Sequence, residues 1–193
     1  RMLNGDGSVA ETGLNGLRCV GRAGFEALHV ARATVRLKTS RAEVARAPDV
    51  ATGVYAVRET AGPATLNVAA WPLAGDRDRI VEAPIAMLPT ARAFTAVAIP
   101  NPHLIAFVER IDEEELVRVG MACEAAPDWL PNRANVSFVE VRGPDALFVR
   151  TFERGVGLTD SCGSAMAAST YAAGLTGRIA VAHAIAVPNR GRL

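Results

Sequence analysis

Residues 153–165 read Glu153-Arg154-Gly155-Val156-Gly157-Leu158-Thr159-Asp160-Ser161-Cys162-Gly163-Ser164-Ala165, and mostly Ala, Ser and Met follow. The glycines break any regular period, so residues 153–163 read as a loop. The small residues Ser164–Ala173 then predict a helix that Gly174 ends. Cys162 falls where the loop becomes the helix. Free N–H groups and the helix dipole at that point stabilise a thiolate. The same N–H groups bind carboxylates. One short segment thus offers a reactive thiol and an anion cradle together. The plainer alternative is a small buried cysteine at a helix start, the common fate of a free thiol.

Working outward, Asn135–Arg142 and Ala146–Thr151 predict strands joined by the hairpin turn Gly143-Pro144-Asp145. Asp112–Cys123 predicts a short acidic-capped helix. Ala93–Ile99 and Leu104–Val108 predict strands that flank Pro100-Asn101-Pro102-His103, and Ile179–Val187 predicts a last strand. Nearer the start, residues 1–17 are loop-like, with glycines at 5, 7, 13 and 16. A helix is expected from Asn15 or Gly16 to about Ala31, on the spacing of Leu17, Val20, Phe25 and Leu28. Strands are expected at Ala33–Lys38, Gly53–Glu59 and Thr65–Ala70. The polar turn Gly75–Asp78 marks an expected boundary between residues 1–75 and 76–193. Each half runs a Gly-rich loop into a buried-type helix among antiparallel strands. The fold class expected is α+β, in two similar halves with a site between them.

The 193 residues are 50% hydrophobic and 21% charged, with a net charge of +1, enough apolar material for real cores and unlike a disordered chain. Of the 21 basic residues only Lys38 is lysine, and no basic cluster predicts nucleic-acid binding. No apolar run reaches the ~18 residues of a membrane span, and no signal peptide is read at the start. Cys19, Cys123 and Cys162 are an odd count without metal-ligand spacing, so neither a disulfide scaffold nor a metal site is expected. A cytoplasmic protein in a reducing compartment is the expectation. The chain opens at Arg1-Met2 with a Gly-rich motif in progress by Asn4 and ends on the turn Pro188–Gly191, so a longer parent protein is expected.

The loop Asn4-Gly5-Asp6-Gly7-Ser8, continuing through Gly13-Leu14-Asn15-Gly16-Leu17-Arg18-Cys19, has the same build as the Cys162 loop. Its short polar side chains each have a plain role in turn formation. Cys19, one turn into the helix, is expected to pack in the core. His103 is a candidate proton carrier, although a lone histidine is more often structural. His29 and His183, read as lying in apolar surroundings, receive no role.

Taken together, these segments resemble the diaminopimelate epimerase family, whose members epimerise amino acids without a cofactor. The family's Asn-x-Asp-Gly-Ser matches Asn4–Ser8, and its Cys-Gly-Asn-Gly-x-Arg-Cys matches Gly13–Cys19. Its Glu-Arg-Gly-x-Gly-Glu-Thr-x-x-Cys-Gly-[Ser/Thr]-Gly matches Glu153–Ala165. Asn-Pro-His matches Asn101–His103, and an Asn-Val-x-Phe strand matches Asn135–Phe138. The resemblance implies two pseudo-symmetric halves, each a barrel-like, mostly antiparallel sheet around a central helix. It implies two cysteines facing each other across the substrate α-carbon, one removing the proton and the other returning one, without pyridoxal phosphate. It implies Cys162 as one acid/base, with Glu153 and His103 assisting proton handling. By the same resemblance, Asn4, Asn15, Asn101, Asn135, Glu153, Arg154, Gly163 and Ser164 bind an amino-acid substrate, diaminopimelate in lysine synthesis. No metal, cofactor, nucleic acid or membrane partner is implied, and a homodimer is.

This chain departs from the pattern at four positions. Gly13 stands where the family has its first catalytic cysteine, and Leu14 stands for the following glycine. Leu158 replaces a glutamate and Ala165 a glycine. Cys19 matches a structural cysteine later in the first motif. Thr12 adjoins the altered position, and a related racemase family includes threonine-bearing dehydratases. A one-thiol racemase, dehydratase or isomerase of another amino acid, and a non-catalytic amino-acid-binding protein, are therefore alternatives to the epimerase.

Overall fold

The computed structural model describes residues 13–37, 41–49, 51–68, 71 and 77–188. The chain divides into two compact units between Pro63 and Ala64. The sequence boundary was expected at Gly75–Asp78. Within the second unit, however, Thr65 pairs with Ala98 in both directions, at 3.1 and 2.9 Å, and Val68 N–H donates to Asp78. Those bonds tie residues 65–68 to the second unit's sheet. Residues 72–76 lie outside the described residues, as do Asn4 and Thr12.

In the first unit, α1 (Leu14–Leu28) packs on an antiparallel sheet of β1 (Arg32–Arg36), β2 (Arg41–Ala47) and β3 (Ala56–Glu59), in the order β1-β2-β3. Leu14, Leu17, Gly21 and Phe25 form the buried stripe of α1, and Leu17 and Phe25 meet Ala42 and Val44. The period expected from Leu17, Val20, Phe25 and Leu28 picks a different stripe. Val20 and Leu28 are exposed, because the turn at Gly21 is the one that abuts Val44 and Val57. Cys19 is exposed rather than in the core, and His29 is an exposed, left-handed cap that closes α1. β2 was not expected as a strand. Its core positions Ala42 and Val44 alternate with Arg41 and Glu43, and alanine carries little strand signal.

Among the described residues, the second unit holds one six-stranded sheet, β4-β5-β6-β7-β8-β9, with two helices. The strands are β4 (Ala83–Pro84), β5 (Ala93–Ile99), β6 (Asn101–Phe107), β7 (Asn135–Gly143), β8 (Ala146–Glu153) and β9 (Gly157–Thr159). The helices are α2 (Glu113–Glu124) and α3 (Gly163–Leu175). All strand pairs are antiparallel except β6 with β7, which α2 joins by the crossover a parallel pair requires. The expected architecture, α+β with mostly antiparallel sheets, holds, but both sheets of the described residues are open rather than closed barrels.

β5 is buried from Phe94 to Ile99 and β6 from Pro102 to Ala106, so the middle of this sheet is covered on both faces. Phe94, Ala96, Leu104, Val136, Phe138 and Phe152 point to a core they share with Leu116, Val119 and Cys123 of α2. Strand alternation sends Asn101, His103, Asn135, Ser137, Thr151 and Glu153 to the opposite face, which α3 covers. α3 presents Ser164, Ala165, Ala168, Ser169, Ala172 and Ala173 inward, small residues that let it lie close to the strands. The Asp112 side chain caps α2 by accepting the N–H groups of Glu114 at 2.9 Å and Glu115 at 3.0 Å. Glu113, Glu114 and Glu115 complement the dipole in its first turn.

Three expected strands are shorter here or absent. The stretch 53–59 is a strand only over Ala56–Glu59. Thr65 makes an isolated bridge, and residues 69 and 70 lie outside the described residues. Residues 179–187 contribute a single parallel bridge, Ala186 to Ala146, because the chain runs through turns there. Conversely, Asn101-Pro102-His103 is strand and not loop, since Ile99 pairs with Asn101 across Pro100.

Candidate active site

Cys162 is the N-cap of α3, with extended backbone (φ −131°, ψ 107°) and a buried side chain. Its sulfur lies 3.6 Å from the Ser164 hydroxyl. Burial and the Glu153 carboxylate beside it push the thiol up to about 12, against the opposing pull of the Ser164 hydroxyl and the Ala165 N–H. At neutral pH the group is therefore a thiol that can give a proton. The helix end alone does not make it a thiolate.

Glu153 ends β8, where Thr159 of β9 donates its hydroxyl to Oε1 at 2.5 Å. The connection turns on Gly155 (φ +76°) and Gly157 (φ +100°), conformations that side chains resist. Glu124 of α2 anchors this turn, accepting the Gly155 N–H at 3.0 Å and the Arg133 guanidinium at 2.5 Å. Asn135 is buried between two segments: its amide donates to the Pro102 carbonyl at 3.1 Å, and its oxygen accepts the Arg154 N–H at 2.9 Å. The Arg154 guanidinium donates to the Asn132 carbonyl at 3.1 Å.

Asn101 donates to the Ser164 hydroxyl at 3.4 Å, which links β6 to the start of α3. Its Oδ1 and the Ser161 hydroxyl are buried without a partner among the described residues. His103 is fully buried beside Asn135 in the β6–β7 register, and neither ring nitrogen has a partner among the described residues. Burial, aided by the Arg154 charge, lowers His103 to about 3, so the imidazole is neutral at physiological pH. Buried polar atoms normally have partners, so Asn101 Oδ1, the Ser161 hydroxyl and the His103 ring are candidate contacts for a polar ligand.

Of the expected site residues, Asn101, His103, Asn135, Glu153, Arg154, Cys162, Gly163 and Ser164 all lie in the second unit, around the β6–β8 strands and the start of α3. Asn15 lies in the first unit, in the opening turn of α1, where its side chain accepts from Arg18. Gly13 caps the same helix without a side-chain bond. Asn4 is outside the described residues. No three His, Cys, Asp or Glu side chains gather as a metal site among the described residues. No helix there is long and apolar enough to cross a membrane.

Two residues without an expected role belong to this neighbourhood. Thr159 sits inside the quoted motif, and Arg150 lies among Leu147, Phe148, Val149 and Phe152. A cation following the apolar run Ala146–Val149 is the signal that points to it.

A model of the family described as diaminopimelate epimerase matches residues 95–191. The diaminopimelate epimerase of Clostridium acetobutylicum is 39% identical over 191 residues, covering 99% of this chain and 57% of the relative. That of Enterococcus faecalis is 37% identical over 172 residues, 88% of this chain and 53% of the relative. The chain thus spans little more than half the length of these curated relatives. A PhzF-family phenazine biosynthesis protein of Bacillus anthracis shares the fold, with a TM-score of 0.53 at 13% identity over 86% of this chain and 58% of that one.

Proposed function

Since the chain belongs to the diaminopimelate epimerase family, we propose that it transfers a proton at the α-carbon of an amino acid, with Cys162 as the acid/base and no cofactor. The substrate we assign is diaminopimelate, LL to meso, in lysine synthesis, and the setting a cytoplasmic homodimeric isomerase. The observation that carries this reading is the placement of the Cys162 sulfur at the start of α3, 3.6 Å from the Ser164 hydroxyl, where the Glu153 charge acts on the thiol.

In the forward step the Cys162 thiol passes its proton to Glu153, and the thiolate removes the substrate α-proton. The electron pair left on carbon spreads into the substrate carboxylate, which the N–H groups of Gly163 and Ser164 and the Asn101 and Asn135 amides hold. Arg154 adds positive charge, and His103 serves as a neutral imidazole. Inversion needs a second proton delivered to the opposite face. In the reverse direction the Cys162 thiol is itself that donor.

Gly13, standing where the family's pattern has cysteine, favours a second reading: one thiol that removes and returns the proton on the same face, giving exchange without inversion. Proton NMR in D₂O with LL- and meso-diaminopimelate separates the two. Loss of the α-proton signal from both epimers with interconversion supports epimerisation, and loss from one epimer alone supports the one-thiol enzyme. No loss from either overturns both and leaves an amino-acid-binding protein.

A further inference from the structure

Arg150 of β8 is 3% exposed. A guanidinium costs several kcal/mol to bury unless its donors are matched, so its partners show what it is there to hold. Nε donates to Glu113 Oε1 at 2.8 Å, in the first turn of α2. One terminal nitrogen donates to the main-chain carbonyl of Thr159 at 2.7 Å, with Asp160 Oδ1 at 3.4 Å. Thr159 pairs with Thr151, so its side chain lies on the α3 face with Thr151 and Glu153. Arg150, one residue from Thr151, belongs to the α2 face. The guanidinium thus grips the backbone of β9 from one side of the sheet, while the Thr159 hydroxyl holds Glu153 on the other at 2.5 Å. β9 has three residues and, among the described residues, pairs with β8 alone, too short a ladder to fix its place by itself.

We propose that Arg150 and Thr159 are positioning residues for Cys162: the buried guanidinium fixes the Thr159 carbonyl, and the Thr159 hydroxyl thereby holds Glu153 against the thiol. This rests on the reading of Cys162 as the acid/base. Both residues act through Glu153.

The test compares the whole chain with Thr159→Val, Thr159→Ser and Arg150→Lys. Iodoacetamide labelling of Cys162 at pH 8, followed by peptide mass, is read beside α-proton exchange from diaminopimelate. Valine keeps the shape of Thr159 and removes the hydroxyl. A freed Glu153 no longer opposes the thiolate, so Cys162 labelling rises by about tenfold, the equivalent of one pH unit. Exchange falls by ~10²-fold in kcat with KM little changed. Thr159→Ser restores both. Arg150→Lys keeps the charge without the planar fork and shifts both in the valine direction. If Arg150→Lys does not fold, the two Thr159 variants decide. Labelling unchanged in Thr159→Val, or raised but not restored by serine, overturns the proposal. Labelling needs no substrate, so absence of exchange in the parent chain counts against the proposed function and leaves this comparison to decide the positioning.

Discussion

The side-chain oxygen of Asn135 accepts the backbone N–H of Arg154 at 2.9 Å, across 19 residues of chain. With its amide on the Pro102 carbonyl, Asn135 joins β6 to the Glu153-Arg154 turn from within the sheet. The bond to Pro102 is buried and the one from Arg154 partly so, so removing the side chain leaves a buried carbonyl and a half-buried N–H without this partner.

Asn135→Ala is expected to cost about 1–3 kcal/mol, chiefly from the buried Pro102 carbonyl. Urea unfolding checks this, and a midpoint equal to the parent's would mean that water replaces both bonds.

Cys162→Ala is expected to lower α-proton exchange by ~10²–10⁴-fold, the usual loss for a positioned acid/base. Melting temperature, measured alongside, guards against simple unfolding. Exchange that survives at the parent rate removes Cys162 from the chemistry.

Gly13 has extended backbone (φ −170°, ψ 91°), a conformation that any residue adopts. Gly13→Cys is therefore expected to fold and, if its thiol reaches the substrate's other face, to convert exchange into inversion. Circular dichroism of diaminopimelate over time reads this directly. A folded variant with no gain in inversion would show that more than the missing thiol separates this chain from a two-base epimerase.

Gly120 of α2 lies so close to β8 that a Cβ would stand 2.2 Å from the Phe152 ring. Alanine gains ~1 kcal/mol of helix propensity over glycine, but overpacking costs roughly 1–3 kcal/mol. Net destabilisation is expected for Gly120→Ala, with recovery in the double variant Gly120→Ala/Phe152→Leu. Additive denaturation midpoints would show that the two sites are independent.

His103 falls from 6.5 to about 3 on folding. Between these pH values the unfolded chain binds a proton that the folded chain does not, so stability declines as pH drops below about 6.5. The limiting slope is ~1.4 kcal/mol per pH unit, and His103→Leu should flatten it. At the other end, Cys123 and Cys162 rise from 9.0 to about 12. There the unfolded chain releases protons first, and stability falls as pH climbs from about 9 to 12. Urea midpoints across pH 3–11 test both limbs through their slopes, which survive any uniform loss of stability in the variants.

Local chemistry made several elements readable from the sequence. Asp112 ahead of three glutamates started α2, and Gly143-Pro144-Asp145 turned β7 into β8. The glycines before Cys162 delivered it to the head of α3. The family motifs named the polar residues. β2 escaped because its inward residues are small, and the Asn101–His103 stretch escaped because two prolines disguise a strand.

Turns, caps and periodicity depend on residues a few positions apart, so the sequence by itself determined the helices, the central strands of the second unit and the family. Tertiary structure alone decided which side chains meet. Asn101 reaches Ser164 over 63 positions, and Arg150 reaches Glu113 over 37. Such contacts follow from strand register, where a shift of one residue turns every side chain to the opposite face. That register put Thr159 beside Glu153. Burial, which no short window of sequence reports, raised the Cys162 thiol and kept His103 neutral.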